Sequence, residues 1–100
     1  MAILAIFTCP GLTKEKYESL RKEVKWEHNT PAGAVFHAAS FDESGNARVA
    51  DVWNSVNAMN EFLNSRLMPA MKKFKIAIPK TEVFPLYNAN AYKNIEQYKL

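Results

Sequence analysis

The pattern of apolar and polar positions along the chain predicts four strands. Residues 2–8 are almost wholly apolar, which is typical of a central strand buried on both faces. The segments 33–41 and 47–53 alternate between apolar and other residues on either side of a five-residue turn with glycine in its fourth position, so they predict a hairpin. A last strand is expected over 81–87, where Pro85 indicates an edge position or a bulge.

A first amphipathic segment, between the first strand and the hairpin, predicts a helix. Thr13 is suited to cap it, because its hydroxyl can accept a hydrogen bond from a first-turn amide. Tyr17, Leu20 and Val24 follow at helical spacing and form its inner stripe. We expect this helix to end near residues 26–28.

A second amphipathic segment follows the hairpin, with Ser55 suited to cap it. Proline lacks an N–H and disturbs a helix interior, so Pro69 predicts a kink or a restart near Met68. The predicted apolar stripe of this helix is Met59, Phe62, Leu63, Leu67 and Ala70. Residues 88–100 form a C-terminal tail with helical spacing of Tyr92, Ile95 and Tyr98, which predicts a short helix packed on this subunit or on a partner.

The order of these elements defines an α+β fold. Strand, helix, strand, strand, helix, strand is the ferredoxin-like βαββαβ arrangement, an antiparallel sheet with two helices on one face. One hundred residues suit a single domain over 1–100. Because the other sheet face also carries apolar residues, we expect a second copy of the chain to cover it and form a homodimer.

Composition and charge exclude several classes of function. The net charge of +3 comes from basic residues interleaved with acidic ones, so we expect no nucleic-acid partner. The apolar segment 1–7 is too short to span a membrane, and we expect no membrane association. A single cysteine, Cys9, forms no intramolecular disulfide, which fits a reducing compartment and a cytoplasmic location.

One constellation of residues in the hairpin can carry chemistry. If the two strands pair symmetrically about the turn, His37 lies opposite Asp51, and Trp53 lies two residues further along the same face. A carboxylate on one ring nitrogen would fix the tautomer of His37 and leave the other nitrogen as a base. The alternative is a structural pair that only satisfies the hydrogen bonds of a buried imidazole. A register slip of one residue would separate the two side chains.

The other candidate residues are aromatic or isolated. A pocket between helix and sheet has four candidate ligand-binding residues: Trp53, Tyr17, Trp26 and Phe62. The alternative for each of them is simple core packing. Cys9 has no basic neighbour in sequence and is expected to be an inert buried thiol. His28, His37 and Cys9 lack the spacing of metal ligands, so we expect no metal site.

Several sequence stretches resemble the dimeric α/β-barrel superfamily, which includes the antibiotic-biosynthesis monooxygenase-like domains. V-W-x-S-x-x-x-M-x-x-F, from Val52 to Phe62, is similar to its strand-to-helix signature. G-L-T-x-E-x-Y-x-x-L, from Gly11 to Leu20, is similar to the start of its first helix. The resemblance extends to about Asn88 and is strongest to small stand-alone members whose activity is not known. It implies a homodimer whose two sheets close into a barrel.

The resemblance leaves two functions open. One is a small homodimeric protein with an apolar pocket for a small apolar or aromatic ligand. The other is a cofactor-independent monooxygenase or isomerase acting on a quinol-like or polycyclic substrate, with His37 as base, Asp51 as its orienter and Trp53 and Tyr17 as walls. Neither function needs a cofactor, and we expect none.

Two further functions fit the residues poorly. The haem-degrading branch of the superfamily presents an asparagine on its first strand and a histidine on its second helix, and this chain has neither. A binder of single-stranded RNA shares the order of elements but needs a basic, glycine-aromatic motif on the third strand. Residues 48–53 lack that motif and carry an acid instead.

Overall fold

Four strands form one antiparallel sheet with the first strand in its interior. A computed structural model describes all residues, 1–100. The strands β1 (Ile3–Cys9), β2 (Ala34–Phe41), β3 (Ala47–Trp53) and β4 (Lys80–Pro85) lie in the order β2-β3-β1-β4. The predicted α+β, ferredoxin-like topology is therefore confirmed, with strand bounds shifted by one or two residues.

Three helices cover one face of this sheet. They are α1 (Lys14–Val24), α2 (Val56–Phe62) and α3 (Met68–Lys73), and the π-helical segment Leu63–Leu67 joins the last two. A single hydrophobic core lies between the helices and the sheet. Its strand side is formed mainly by Ile3, Ala5, Phe7, Cys9, Ala47 and Trp53, and its helix side by Tyr17, Leu20, Val24, Met59, Phe62, Ala70 and Met71.

The helix α1 ends just before Trp26, whose side chain faces the sheet. Thr13 caps the start of the helix as expected, accepting a hydrogen bond from the Lys16 amide at 3.3 Å. The helix ends earlier than residues 26–28, because Lys25 adopts a left-handed conformation with φ of 59° and donates its N–H to the Arg21 carbonyl. Trp26 therefore follows the helix cap, and its ring lies 5.5 Å from that of His37.

The second helical region restarts at Met68, as Pro69 predicts. Ser55 caps α2 by accepting a hydrogen bond from the Ala58 amide at 3.0 Å. The chain then widens into the π-helical segment, where the Met68 amide donates to the Leu63 carbonyl five residues earlier. Proline is tolerated at the first positions of a helix, and α3 begins there. The widened turn carries Leu67 toward the sheet.

The prediction that β1 is buried on both faces is wrong for the single subunit. Its helix-facing residues, from Ile3 to Cys9 in alternation, are at most 5% exposed. On the opposite face Ile6 is 37% exposed, because no element of the same chain covers that side of the sheet. Phe84 on β4 lies on this open face as well and is 45% exposed.

The C-terminal tail forms a short helix that makes little contact with its own subunit. Residues Lys93–Tyr98 form a 3₁₀ helix. Ile95 is partly buried, but Tyr92, Tyr98 and Leu100 are each about three-quarters exposed, so of the two expected alternatives packing on this subunit is largely not made. None of the helices combines the length and the apolar character that a membrane-crossing segment requires.

Candidate functional site

The hairpin turn sets the register that builds the site. One carboxylate oxygen of Asp42 accepts the amides of Ser44 and Asn46, both at 3.0 Å, and Gly45 adopts a φ of 79° that suits glycine. The amide of Asn46 is the main reason that the pKa of Asp42 is lowered. With the turn held in this way, His37 pairs directly with Asp51, and the predicted register is confirmed.

Four side chains form a continuous chain of hydrogen bonds. The indole N–H of Trp53 donates to Asp51 Oδ2 at 3.2 Å. Asp51 Oδ1 lies 2.7 Å from His37 Nδ1, and His37 Nε2 lies 2.8 Å from the hydroxyl of Tyr17. The chain thus runs from the end of β3 across β2 to α1, and it occupies both ring nitrogens of His37. The expectation that this imidazole is buried is wrong for the single subunit, because 35% of its side chain is exposed.

Tyr17 is held as a neutral hydroxyl. It is 8% exposed, and burial is the main reason that its pKa is raised. The negative charge of Glu27 adds to this effect because it also disfavours a second anion nearby. The Tyr17 side chain therefore offers an O–H group and oxygen lone pairs at neutral pH, and not a phenolate.

This chain of hydrogen bonds borders an apolar cavity between the helices and the sheet. The cavity has a volume of about 240 Å³. All six site residues expected from the sequence line it: Tyr17, Trp26, His37, Asp51, Trp53 and Phe62. Most of the remaining wall is apolar and includes Phe7, Leu12, Leu20, Phe36, Val49, Leu67 and Met71.

Aromatic rings form two sides of the cavity. Trp26 meets Tyr17 edge-to-face with ring centroids 5.6 Å apart, and Trp53 meets Phe62 at 5.4 Å. Such pairs fix ring orientation and contribute beyond simple burial. Apolar cavities of about 150 Å³ accept benzene. The larger volume of this cavity therefore suits a molecule with a single aromatic ring or with two fused rings.

The cysteine and two arginines near the site contribute little to its polarity. Cys9 lines the cavity, but burial raises the pKa of its thiol and disfavours the reactive thiolate. Arg48 pairs with Asp42 in the turn. Arg66 donates to main-chain carbonyls at Val24 and Asn29 and so joins the end of α1 to the π-helical segment.

The hydrogen bond between Tyr17 and His37 is the part of the site that sequence reasoning missed. From the sequence, Tyr17 is predicted only to line the pocket. Its place on the inner stripe of α1 showed that it faces the sheet, but nothing in the sequence showed which strand residue its hydroxyl would meet. No group of three or more histidine, cysteine and acidic side chains is arranged to hold a metal ion.

Comparison with solved structures identifies the fold. SnoaB, a cofactor-independent oxygenase from Streptomyces nogalater, is similar with a TM-score of 0.59 and 17% identity, over 88% of this chain and 93% of that one. An antibiotic biosynthesis monooxygenase-like protein from Deinococcus radiodurans is similar with a TM-score of 0.58 and 16% identity, over 92% of this chain and 98% of that one. A protein of unknown function from Nitrosomonas europaea is similar with a TM-score of 0.63 and 14% identity, over 91% and 92%.

The chain therefore has the fold of the antibiotic-biosynthesis monooxygenase-like proteins, as the sequence resemblance predicts. At these identities the likeness establishes the fold and not the reaction. No protein-family model and no curated protein matches the sequence.

Proposed function

We propose that this protein is a homodimer that binds a small aromatic molecule in the cavity between its helices and its sheet. The observation that carries the proposal is an apolar cavity of about 240 Å³. The polar side chains on its wall are hydrogen-bonded to one another, from Tyr17 through His37 to Asp51. Ligand sites are typically concave and mostly apolar, with a few placed polar groups that orient the ligand. Both tryptophans of the chain line this cavity, which favours a planar ring as the occupant.

The homodimer is supported by the open face of the sheet. Leu4, Ile6 and Phe84 lie on the face that no helix of the same chain covers, and the last two are more than a third exposed. A second copy of the chain, packed sheet to sheet, would remove this apolar surface from water. Sedimentation should give twice the chain mass of 11.4 kDa at micromolar concentration, and a monomer mass would contradict the proposal.

Titration of the protein with 2-naphthol, followed by calorimetry, tests the ligand site. From the usual binding energy per ligand atom, we expect a dissociation constant on the order of 10–100 µM. Substitution Val49→Phe places a larger side chain on the cavity wall and should weaken binding at least about tenfold, because over-filling excludes the ring.

The matched control is Val56→Phe, since Val56 is an exposed residue of α2 outside the cavity wall. It should bind 2-naphthol as the unsubstituted protein does. Equal affinity in all three proteins would place the binding elsewhere and contradict the proposal, and an absence of binding to the unsubstituted protein would also contradict it.

A second candidate function is supported by the position of His37. An imidazole oriented by a carboxylate at 2.7 Å and bordering an apolar cavity has the geometry of a general base. This supports a cofactor-independent oxygenase or isomerase for a quinol-like substrate. The substrate proton passes to the Tyr17 oxygen while the Tyr17 proton passes to His37 Nε2, and Asp51 stabilises the imidazolium that forms.

In the oxygenase case, the deprotonated ring reacts directly with O₂. In its keto tautomer the quinol carries two hydrogens on one ring carbon, and this carbon becomes a carbonyl: one oxygen atom of O₂ stays on the carbon, and the other leaves as water with the two hydrogens. The isomerase case needs no oxidant, because the same proton returns to another atom of the substrate. Both reactions begin with the proton transfer that the Tyr17–His37 contact supports.

Comparison of His37→Ala with His28→Ala tests this candidate. Turnover of a panel of one- and two-ring quinols is followed by oxygen uptake and by chromatography of the products. We expect His37→Ala to lower the rate about 10²- to 10⁴-fold, because a positioned base contributes that much. His28→Ala, at an exposed loop residue, should keep the original rate. Equal rates in the two variants, or no turnover of any panel compound by the unsubstituted protein, would contradict the assignment.

A further inference from the structure

The chain of hydrogen bonds along the cavity wall has a fixed direction, and the Asp51 carboxylate sets it, because both of its oxygens accept. An indole N–H can only donate, so it donates to Asp51 Oδ2. An ionised carboxylate can only accept, and Asp51 Oδ1 therefore accepts from His37 Nδ1 at 2.7 Å. It follows that the proton of the neutral imidazole lies on Nδ1.

The direction continues from His37 to Tyr17. With its proton on Nδ1, a neutral imidazole presents Nε2 as an acceptor. The Tyr17 hydroxyl, 2.8 Å away, must then donate its only hydrogen to His37. No other side chain or main-chain group hydrogen-bonds to this hydroxyl, so its oxygen retains lone pairs and has no hydrogen left to give.

We infer that the cavity selects ligands that donate a hydrogen bond, such as a phenol O–H or a ring N–H, over ligands of similar shape that can only accept one. This inference rests on the proposed binding of an aromatic ligand. A phenol would donate its O–H to the Tyr17 oxygen, and both the phenol hydrogen and the Tyr17 lone pair would then have a hydrogen-bond partner. A carbonyl or pyridine-type nitrogen would meet lone pairs instead, and both buried acceptors would stay unsatisfied.

The other polar groups on the cavity wall do not reverse this preference. Both oxygens of Asp51 already accept from protein donors. The Cys9 thiol is only a weak donor, and Thr30 is an exposed loop residue at the rim, where a ligand contact would compete with water. Tyr17 is thus the main polar contact for a ligand, and the three residues behind it determine which kind of contact it makes.

A ¹⁵N NMR spectrum of the imidazole rings at neutral pH tests the direction without any ligand. His37→Gln identifies which signals belong to His37 and which to His28. We expect the His37 spectrum to show the proton on Nδ1 and an unprotonated Nε2. A spectrum with the proton on Nε2 would mean that His37 donates to Tyr17, and it would overturn the inference while leaving the ligand proposal intact.

Calorimetric binding of 2-naphthol and quinoline tests the selectivity itself. In His37→Phe the Tyr17 hydrogen is released and can be donated to quinoline. The ratio of 2-naphthol to quinoline affinity should therefore fall about three- to tenfold, which is the usual net effect of one hydrogen bond. The control His28→Phe should keep the ratio of the unsubstituted protein.

The possible results separate the two proposals. If both compounds bind and the ratio is the same in His37→Phe, the donor selectivity is overturned and the ligand site stands. If neither compound binds the unsubstituted protein, the ligand site itself is overturned. Comparing ratios of affinities removes the difference in hydrophobicity between the two compounds from the result.

Discussion

Tyr17 is the residue that links the helix layer to the polar side chains of the sheet by a hydrogen bond. It lies on α1, while its hydrogen-bond partner His37 lies on β2. Its ring is buried and makes an edge-to-face contact with Phe41. The same burial makes its ionisation sensitive to folding, which gives a prediction about pH.

Because the pKa of Tyr17 is raised in the folded state, the folded protein holds this proton more tightly than the unfolded chain does. The resulting stability is fully present below the ordinary tyrosine pKa of about 10 and is lost as pH rises beyond it. In urea unfolding from pH of about 9 to about 11, the free energy of unfolding should therefore fall more steeply for the unsubstituted protein than for Tyr17→Phe. Tyr98→Phe, at an exposed tyrosine, should keep the original slope, and parallel curves for all three proteins would contradict the assignment.

The sequence predicts contacts between individual residues only where the number of residues from a turn determines which side chains face each other. The pair His37–Asp51 follows from strand alternation and a symmetric turn, because residues at equal distances from the turn face each other. The contact of Tyr17 with His37 depends on the rotation and height of α1 above the sheet. Packing of the whole core sets those quantities, and no local pattern encodes them.

The sequence pattern predicts the helices and strands well, but it does not predict the irregular segments where helices end or change their pitch. Pro69 indicates where the second helix restarts, but no sequence signal indicates the π-helical turn before it, at the end of which Leu67 packs against the core. The left-handed residue Lys25 ends α1 early, although lysine carries no preference for that conformation. Both irregular segments place residues on the cavity wall, so the shape of the site depends on the features that sequence patterns describe least.

The joint between the loop and β2 depends on a glycine, which can be tested. Gly33 has a φ of 82°, and a Cβ there would lie 2.6 Å from the Cβ of Ala58 on α2. Gly33→Ala should therefore lower the free energy of unfolding by about 2–4 kcal/mol, from the left-handed backbone and the steric overlap together. Thermal and urea unfolding measure this loss.

Gly45→Ala is the matched control for that substitution. Its φ of 79° is nearly the same, but a Cβ there meets nothing within 4 Å. Only the backbone term remains, so the expected loss is about 1–2 kcal/mol. Equal losses at the two positions would contradict the prediction, because they would show that the close approach of Gly33 to α2 adds no steric cost.

At the scale of the molecule, the fold follows from the order of its elements, while its assembly does not. The ferredoxin-like topology explains why the helices cover one sheet face and leave Ile6 and Phe84 open on the other. The exposed tail, with Tyr92 and Leu100 unpacked, adds further apolar surface. The proposed second subunit would cover the apolar surface of the sheet and would leave the cavity on the opposite face accessible to a ligand.

A crystal structure of the protein grown with 2-naphthol tests the central claim most directly. We predict a two-fold dimer packed through the open sheet faces, with the naphthol ring between Trp26 and Trp53 in each cavity. Its hydroxyl should lie within about 3 Å of the Tyr17 oxygen. A cavity that stays empty at saturating naphthol, or a ligand bound only outside it, would contradict the account.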